Sequence, residues 1–376
     1  MSRIIKSKNS GVIKKDRIDW VDMARGVGIF LVVLGHVAKL PNFIGLYIYT
    51  FHLPLFFLLS GYLFNPAKYT GFRAFITSRA QRLVFPYVLF SVLSFFFFLL
   101  LNWRSVIGSG LLSSQLYYFF GGLIFAVRGT AWTEHSGALW FLACLFFTEI
   151  FFYLIIHKIK GNHFSLLKIL LIISVVAYLY SKLFNYPLPW SIDASLTATV
   201  FYGLGFLIKE KNIINFIKPS FGIVATLFLV NFWAGITNKP VDMFSGSYGN
   251  YFLFYIAAFA GTAMVITVVR LIKKCPTLSF LGQNSLAIMG LHFYIGITLA
   301  DLIFKYCSLN NLFFAINYSS RIYILRDLFL LLLVSIGYAS LVILIITPLI
   351  FLLKTNWRFS TKKVTDALSA GNIINK

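Results

Sequence analysis

The stretch Asp22-Met-Ala-Arg25-Gly-Val-Gly-Ile-Phe-Leu-Val-Val-Leu-Gly-His36 decides the fold, because it places an arginine and a histidine in one long apolar run. Ionisable side chains inside a membrane span are expensive, so they usually face a bundle interior, a water-filled cavity or a substrate path. At about 100° per residue, Arg25 and His36 fall almost on the same face of a helix. The rise between them is about 16 Å, half the hydrocarbon thickness. We therefore predict a polar stripe along an apolar helix, with both side chains turned inward.

The composition is that of a membrane protein. Of the 376 residues, 59% are hydrophobic and only 12% are charged, and the mean hydropathy is +0.83. Repeated apolar runs of about 18 or more residues are typical of transmembrane helices. Cys144, Cys275 and Cys307 lie far apart, without the spacing of a disulfide, redox or metal motif, so we predict no metal site. No small-residue cleavage site follows the first apolar run, so no cleavable signal is predicted.

The apolar runs predict an all-α polytopic membrane bundle of about ten transmembrane helices. The predicted spans lie near residues 20–40, 43–64, 83–101, 138–157, 166–184, 190–208, 219–236, 248–272, 281–304 and 328–353. Segment 106–127 is apolar but interrupted by glycines and a Ser-Ser-Gln patch, which indicates a re-entrant or interfacial element. The predicted organisation is an N-terminal arm (1–19), a transmembrane domain (20–353) and a tail (354–376).

The distribution of charge predicts the orientation of this bundle. Most of the 33 basic residues lie in the N-terminal arm, in every second loop and in the C-terminal tail. Positively charged loops stay in the cytoplasm, so an even number of spans places both termini there. The net charge of +22 then reflects topology and attraction to anionic lipid headgroups, and it requires no nucleic-acid partner.

Further polar residues follow within the later spans. Arg79-x-x-Arg82 leads into the third span, and arginines at i and i+3 share a helix face and can hold phosphates. Asp193 lies at the outer end of the sixth span. Because intramembrane ionisable groups usually face a cavity or a partner, four more residues are candidates to line a cavity. These are Asp22, His52, Glu149 and His292.

These motifs together carry a resemblance to a known family. They are Arg25 and His36 with ten residues between them, Phe51-His-Leu-Pro-Leu-Phe-Phe57 with Leu59-Ser-Gly-Tyr-Leu-Phe64, Arg79-x-x-Arg82, Leu139-Trp-Phe-Leu142, Ile192-Asp-Ala-Ser-Leu196, and Leu281-Gly-Gln-Asn-Ser-Leu286 with His292. In this order the chain resembles the acyltransferase-3 family, the polytopic membrane O-acyltransferases that modify extracytoplasmic sugars. Within the family it looks most like the fucose 4-O-acetylases and their relatives.

The resemblance implies transfer of an acetyl group from cytoplasmic acetyl-CoA to a sugar hydroxyl of a cell-envelope or exported polysaccharide, in a bacterial cytoplasmic membrane. His36 matches the family's catalytic base, Arg25 its motif partner, and Arg79 with Arg82 its donor-binding pair. The implied partners are acetyl-CoA as co-substrate, a glycan or lipid-linked sugar acceptor, and polysaccharide-synthesis machinery. Some relatives carry a hydrolase-like domain after the last span, where this chain has residues 354–376. We therefore expect it to complete the transfer itself or to pass the acyl group to a separate protein.

The chemistry agrees with this placement. A sugar hydroxyl is a poor nucleophile, so a general base such as His36 must remove its proton as the thioester is attacked. A nearby carboxylate would orient the imidazole and raise its basicity, and Asp193, at a similar predicted depth, is the candidate. The phosphates of CoA need basic residues at the cytoplasmic mouth. The pantetheine arm would then lie along the stripe from Arg25 to His36.

The same residues also have purely structural interpretations. Arg25 could snorkel to the surface or pair with Asp22, three residues earlier. His36 could be a packing histidine near an interface. Arg79 and Arg82 are expected in a cytoplasmic loop from topology alone. The residue types alone therefore leave both interpretations open at these positions.

Other interpretations concern the later spans and the function as a whole. His52 precedes a helix proline and could cap a freed carbonyl, and Glu149 and His292 could bridge helices. A proton-coupled transporter or flippase for a polar envelope precursor would share the intramembrane ionisable residues. Such carriers often have two related halves, and no internal repeat is visible here. A structural subunit of a polysaccharide-export complex is a third possibility, which leaves Arg25 and His36 unexplained.

Overall fold

The computed structural model describes residues 18–37, 40–129, 137–159, 161–184, 186–306 and 331–353. Throughout these residues the regular secondary structure is helical, and strand-type pairing is confined to one isolated bridge between Asp242 and Ser247. The predicted all-α class is therefore confirmed. The predicted N-terminal arm, apart from its last two residues, lies outside the described residues, as do Cys307 and the predicted tail 354–376.

The described residues form sixteen helices, numbered here in chain order. They are α1 (Asp19–Gly35), α2 (Asn42–Tyr49), α3 (His52–Tyr62), α4 (Phe72–Arg79), α5 (Phe85–Gly108), α6 (Leu112–Phe125), α7 (Trp140–Ile159), α8 (His163–Leu183), α9 (Ile192–Glu210), α10 (Ile213–Phe216), α11 (Phe221–Thr237), α12 (Tyr251–Ile272), α13 (Pro276–Gln283), α14 (Ser285–Leu291), α15 (Ile297–Tyr306) and α16 (Leu331–Leu353). Two π-helical turns, Ala80–Val84 and His292–Gly296, connect α4 to α5 and α14 to α15.

Eight helical segments of the described residues are long and apolar enough to cross a membrane. They are Asn42–Tyr62, Phe72–Gly108, Gly137–Ile159, His163–Leu183, Pro189–Glu210, Tyr251–Ile272, Ser285–Tyr306 and Leu331–Leu353. The other two predicted spans correspond to α1 and α11, which are helical but have only 17 residues each. The chain is therefore a multi-pass membrane protein, while the number ten and the side of the termini stay predictions.

The second predicted span is not one continuous helix. It breaks at Thr50 and Phe51, between α2 and α3. Proline has no N–H, so Pro54 cannot donate to the carbonyl of Thr50 as a continuous helix would require. The hydroxyl of Thr50 instead donates back to the carbonyl of Tyr47 at 2.7 Å. The break places His52 at the first position of a new helix.

The region of the predicted re-entrant element is a short helix. α5 continues seven residues beyond the predicted end of the third span, to Gly108, and a turn with Gly110 at φ +69° leads into α6. α6 has 14 residues, or about 21 Å of rise, which is less than the hydrocarbon thickness. A helix of this length does not span, and its position relative to the lipid stays a prediction.

Glycines in the sequence motifs allow two pairs of helices to touch backbone to backbone. A Cβ on Gly282 of α13 would lie 1.7 Å from the carbonyl oxygen of Asp22 on α1, and one on Gly26 would lie 2.0 Å from that of Leu278. Small residues of this kind allow the closest packing of membrane helices. The motif glycine Gly282 therefore fixes α13 against the helix that carries Arg25 and His36.

The second close contact joins α3 and α9 in the centre of the bundle. A Cβ on Gly61 would lie 1.8 Å from the carbonyl oxygen of Tyr202, and one on Gly205 would lie 2.0 Å from that of Leu58. Residues His52 to Leu59 of α3 are all buried, whereas most of α8 is exposed at the outer surface. The polar residues of α3 and α9 are thus held in the interior.

Candidate active site

His36 is the first residue after α1, and its proton position follows from one contact. Its Nδ1 lies 2.8 Å from the carbonyl oxygen of Val32. A carbonyl only accepts hydrogen bonds, so Nδ1 carries the hydrogen and donates it. In the neutral ring Nε2 then keeps its lone pair, an assignment that rests on the hydrogen-bond geometry. The half-buried imidazole is therefore prepared to accept a proton at Nε2.

The structure brings His292 against His36, although 256 residues separate them in the chain. Nε2 of His292 lies 3.4 Å from Nδ1 of His36, and the ring centroids are 5.1 Å apart. Phe293 packs edge-on against the same imidazole, with centroids also 5.1 Å apart. The sequence analysis named His292 only as a candidate to line a cavity, and the structure places it in direct contact with the predicted base.

His52 is buried near this pair and makes a structural contact. Its Nδ1 donates to the carbonyl of Ile48 across the break between α2 and α3, at 2.8 Å. Its ring packs edge-on against Tyr49, with centroids 5.0 Å apart, and the Tyr49 ring also lies against Gly35. His52 therefore satisfies a carbonyl at the helix break, as one interpretation of the sequence anticipated.

Asp193 does not orient His36 in the structure, and that expectation is corrected. Its carboxylate is 9% exposed and forms a two-point ion pair with Arg128, in which Nη1 donates to Oδ1 at 2.7 Å. The oxygens of Asp193 are thus engaged by the guanidinium, and Nδ1 of His36 turns to Val32 and His292 instead. Sequence reasoning did not single out Arg128, because an arginine between two apolar runs is expected from topology alone.

A different carboxylate lies within electrostatic range of His36. Asp242, in the loop between α11 and α12, interacts electrostatically with His36 and with Tyr49. Its own oxygens accept the backbone N–H groups of Phe244 and Ser245, at 2.9 and 3.2 Å. The sequence offered no signal for Asp242, because a loop aspartate preceding a turn is an ordinary turn residue.

The predicted arginine pair is divided by the structure. Arg79 is buried, and its Nε lies 3.3 Å from Oε2 of Glu149 while Nη1 donates to Oε1 at 3.4 Å. Its guanidinium also contacts the hydroxyl of Tyr69. Arg82 is exposed, because the π-helical turn that starts at Ala80 changes the helical phase between the two arginines. The expectation that both arginines share one helix face is therefore wrong, since Arg79 is turned inward to Glu149 and Arg82 is exposed, while their role in holding the donor stays a prediction.

Arg25 lies in the N-terminal half of α1, close to the ion pair of Arg79 and Glu149. Its guanidinium interacts electrostatically with Arg82, Asp22, Glu149 and Tyr202. Arg25 and Arg82 make no hydrogen bond or salt bridge with any residue that the structure describes. Two guanidinium groups that interact with each other, and of which neither is held by a hydrogen bond or ion pair to a described residue, favour the binding of an anion.

Two further sequence candidates have structural contacts. Asp22 is half-buried, and Oδ2 accepts a hydrogen bond from Nε2 of Gln283 at 3.2 Å. Glu149 accepts from the hydroxyl of Tyr202 at 3.4 Å, a residue that the sequence analysis did not single out. In the part of the chain that the structure describes, no cluster of His, Cys, Asp and Glu is arranged to hold a metal ion.

These observations define a class of protein: a multi-pass membrane protein, helical throughout the described residues, with a guanidinium on its first helix that pairs with no described residue and a histidine directly after that helix. A family model described as an acyltransferase domain, Acyl_transf_3, matches residues 18–355. The chain therefore belongs to the acyltransferase-3 family and is a membrane acyltransferase that transfers groups other than aminoacyl groups. No curated protein and no solved structure matches the chain.

Proposed function

We propose that this protein is a membrane O-acetyltransferase that moves an acetyl group from cytoplasmic acetyl-CoA to a hydroxyl of a cell-envelope or exported polysaccharide sugar. One observation carries the proposal: α1 holds the guanidinium of Arg25, which pairs with no described residue, and the helix is followed directly by His36, whose Nε2 keeps its lone pair. The helical rise from one residue to the other is about 16 Å. An acyl-CoA needs both features, a cation for its phosphates at one end and a base near its thioester at the other.

In the chemical step assigned to His36, the imidazole takes up one proton and later releases it. Nε2 removes the proton of the sugar hydroxyl as the oxygen attacks the thioester carbonyl carbon. The bond between that carbon and sulfur then breaks, and the leaving thiolate takes the proton from Nε2. The products are the sugar ester and CoA, and the imidazole returns to its neutral form with the hydrogen still on Nδ1.

The donor site is assigned to Arg25 and Arg82. Phosphate groups cannot enter hydrocarbon unpaired, and guanidinium groups bind them through charge-assisted hydrogen bonds. Arg79 contributes indirectly, because its ion pair with Glu149 neutralises a carboxylate that would otherwise repel an anion beside Arg25. The pantetheine arm would follow α1 from these arginines towards His36.

The proposal includes a topology of ten spans with both termini in the cytoplasm. The 17-residue helices α1 and α11 each rise about 26 Å, which suffices for a short span. The excess of Lys and Arg in alternate loops supports the orientation. The corresponding location is a bacterial cytoplasmic membrane with anionic lipids, where polysaccharide-synthesis machinery would present the acceptor.

The test uses membrane vesicles from cells that express the full chain, supplied with acetyl-CoA labelled in the acetyl group. We expect free CoA to be released and the label to appear as an alkali-labile ester in the surface glycan. A His36→Ala protein that is inserted and folded should lose both signals, because the base assigned to the acceptor hydroxyl is then missing.

Two results would contradict the proposal. A protein that moves a polar precursor but releases no CoA would be a carrier, the alternative function that the intramembrane charges allow. Equal O-acetyl content in surface glycans with and without the chain would exclude a role in their acetylation. Wild-type transfer by His36→Ala would refute the assignment of the base.

A further inference from the structure

The contact between His36 and His292 has a defined direction. Nδ1 of His292 lies 3.0 Å from the carbonyl oxygens of both Ile288 and Met289. Since carbonyls accept only, Nδ1 carries the hydrogen, and Nε2 of the neutral ring keeps its lone pair. That lone pair lies 3.4 Å from Nδ1 of His36, which carries a hydrogen of its own. His292 is therefore the acceptor and His36 the donor.

The backbone around His292 holds the ring in this direction. His292 is 0% exposed and opens the π-helical turn between α14 and α15. A Cβ on Gly290 would lie 2.2 Å from the ring of Phe90, and one on Gly296 would lie 2.8 Å from Val342. Phe90 of α5 and Val342 of α16 thus pack closely against the backbone just before and at the end of the turn. π-helical turns are frequent at functional sites, because the extra residue redirects side chains.

We propose that His292 is a positioning residue for His36: it accepts a hydrogen bond from Nδ1–H and so keeps Nε2 directed at the acceptor hydroxyl. The proposal rests on the proposed function. When His36 gains its second proton at Nε2, the positive ring donates more strongly from Nδ1, and the lone pair of His292 stabilises it. No proton moves to His292 in this step. The neutral imidazole of His292 and the carbonyl of Val32 thereby both accept the Nδ1–H of His36. In many catalytic triads and metal sites a carboxylate accepts that hydrogen bond.

The experiment compares three substitutions of His292 in the full-length protein, reconstituted in vesicles with isolated surface glycan as the acceptor. His292→Leu removes the acceptor, and we expect kcat to fall about 10- to 100-fold with KM for acetyl-CoA unchanged. His292→Gln has an amide that reaches the position of Nε2, so its carbonyl oxygen accepts the same hydrogen bond and most of kcat should return. His292→Asn ends near the position of Nδ1, cannot reach His36, and should resemble the Leu variant.

The chain offers a matched control at His157. The Nδ1 of His157 also lies 2.8 Å from the carbonyl oxygen four residues earlier, that of Tyr153. His157 lies in the last turn of α7. His157→Leu should therefore leave kcat unchanged. A second readout is independent of activity: in nitrogen-15 NMR of labelled histidine, the Nδ1 resonance of His36 should shift between the wild type and His292→Asn, because the N–H loses its second acceptor while the carbonyl of Val32 keeps the proton on Nδ1.

Several outcomes would overturn the proposal. Wild-type kcat in His292→Leu or in His292→Asn would show that His36 needs no acceptor. A folded His292→Gln protein as slow as His292→Leu would show that His292 must take up the proton itself. If the wild type transfers no acetyl group, the proposed function fails. The Nδ1 resonance of His36 then still decides the positioning role, which an unchanged resonance in His292→Asn would refute.

Discussion

Arg128 and Asp193 form a buried ion pair that joins three connecting segments of the bundle. The same carboxylate also accepts the N–H of Leu188 at 3.1 Å, just before α9. Nε of Arg128 donates to the carbonyl of Phe244 in the loop between α11 and α12. Arg128 itself follows α6 and is only 2% exposed. The pair therefore holds the loop that carries Asp242, rather than the imidazole of His36.

Asp193→Ala is expected to destabilise the protein without removing its base. The substitution leaves the guanidinium of Arg128 buried and unpaired, which costs about 3–5 kcal/mol. The free energy of unfolding, measured by denaturant titration in mixed micelles, should fall by that amount. The double variant Arg128→Met with Asp193→Leu should recover much of it, because no uncompensated charge remains. Loss of kcat in folded Asp193→Ala without loss of stability would restore Asp193 as the orienting carboxylate.

The two arginines of the Arg79-x-x-Arg82 motif should respond differently to substitution. Arg79→Ala leaves Glu149 buried without its ion-pair partner, so we expect a loss of about 3–5 kcal/mol in the free energy of unfolding. Arg82→Ala removes an exposed group and should leave stability within about 0.5 kcal/mol. Because Arg82 is assigned to the donor phosphates, KM for acetyl-CoA should rise about tenfold or more.

The comparison is decided by measuring stability and KM on the same preparations. Arg82→Lys is the control, since it keeps the charge and loses the planar fork, and it should lie between the wild type and Arg82→Ala. An unchanged KM in Arg82→Ala would remove Arg82 from the donor site.

Gly282→Ala should separate α1 from α13. The added Cβ would lie 1.7 Å from the carbonyl oxygen of Asp22, which is backbone and cannot rotate away. We expect loss of folded protein, measured as the monodisperse fraction after extraction in detergent. Gly337→Ala is the matched control within α16, because nothing lies within 4 Å of its Cβ, and it should be neutral or stabilising by up to about 1 kcal/mol. Normal folding of Gly282→Ala would contradict the packing of these helices.

Asn231→Leu should weaken the junction of α2, α11 and α12. Its Nδ2 donates to the hydroxyl of Thr50 at 3.2 Å and to the carbonyl of Ala257 at 2.7 Å. Both acceptors lie in the interior, so their loss should cost about 1–3 kcal/mol in the free energy of unfolding. Thr237→Val is the comparison, because its hydroxyl bonds only within its own helix and should cost less. Equal losses in the two variants would contradict a bridging role for Asn231.

The sequence anticipated the helices better than their irregularities. Every predicted span corresponds to helix in the described residues, because about twenty apolar residues in succession have few other folded forms in a membrane. The break at Thr50 and the π-helical turn at Ala80 were not predicted. The break could have been inferred from Pro54, whereas the π-helical turn depends on packing that no local pattern records.

The sequence predicted which residues belong to the candidate site, but not which side chains pair with one another. Arg25 lies in α1 and His36 directly follows its last turn, so their separation along the chain is set almost entirely by helical geometry. The partners of Asp193 and Arg79 lie 65 and 70 residues away in the chain. Local spacing carries no information about which distant group will neutralise a buried charge. The carboxylate predicted to orient His36 therefore pairs with Arg128, and Arg79 pairs with Glu149 rather than sharing a helix face with Arg82.

By itself, the sequence determined that this protein is a helical, multi-pass membrane acyltransferase with a basic residue at either end of one polar stripe. Composition and span length suffice for the helical membrane fold, because the membrane permits few backbone structures, and the order of the motifs carries the resemblance to the acyltransferase family. Only the tertiary structure decided that His292 meets His36, that Asp193 belongs to Arg128, and that Arg79 belongs to Glu149. Those pairings arise where helices distant in sequence pack together, and a buried polar group takes whichever partner the packing brings within hydrogen-bond distance.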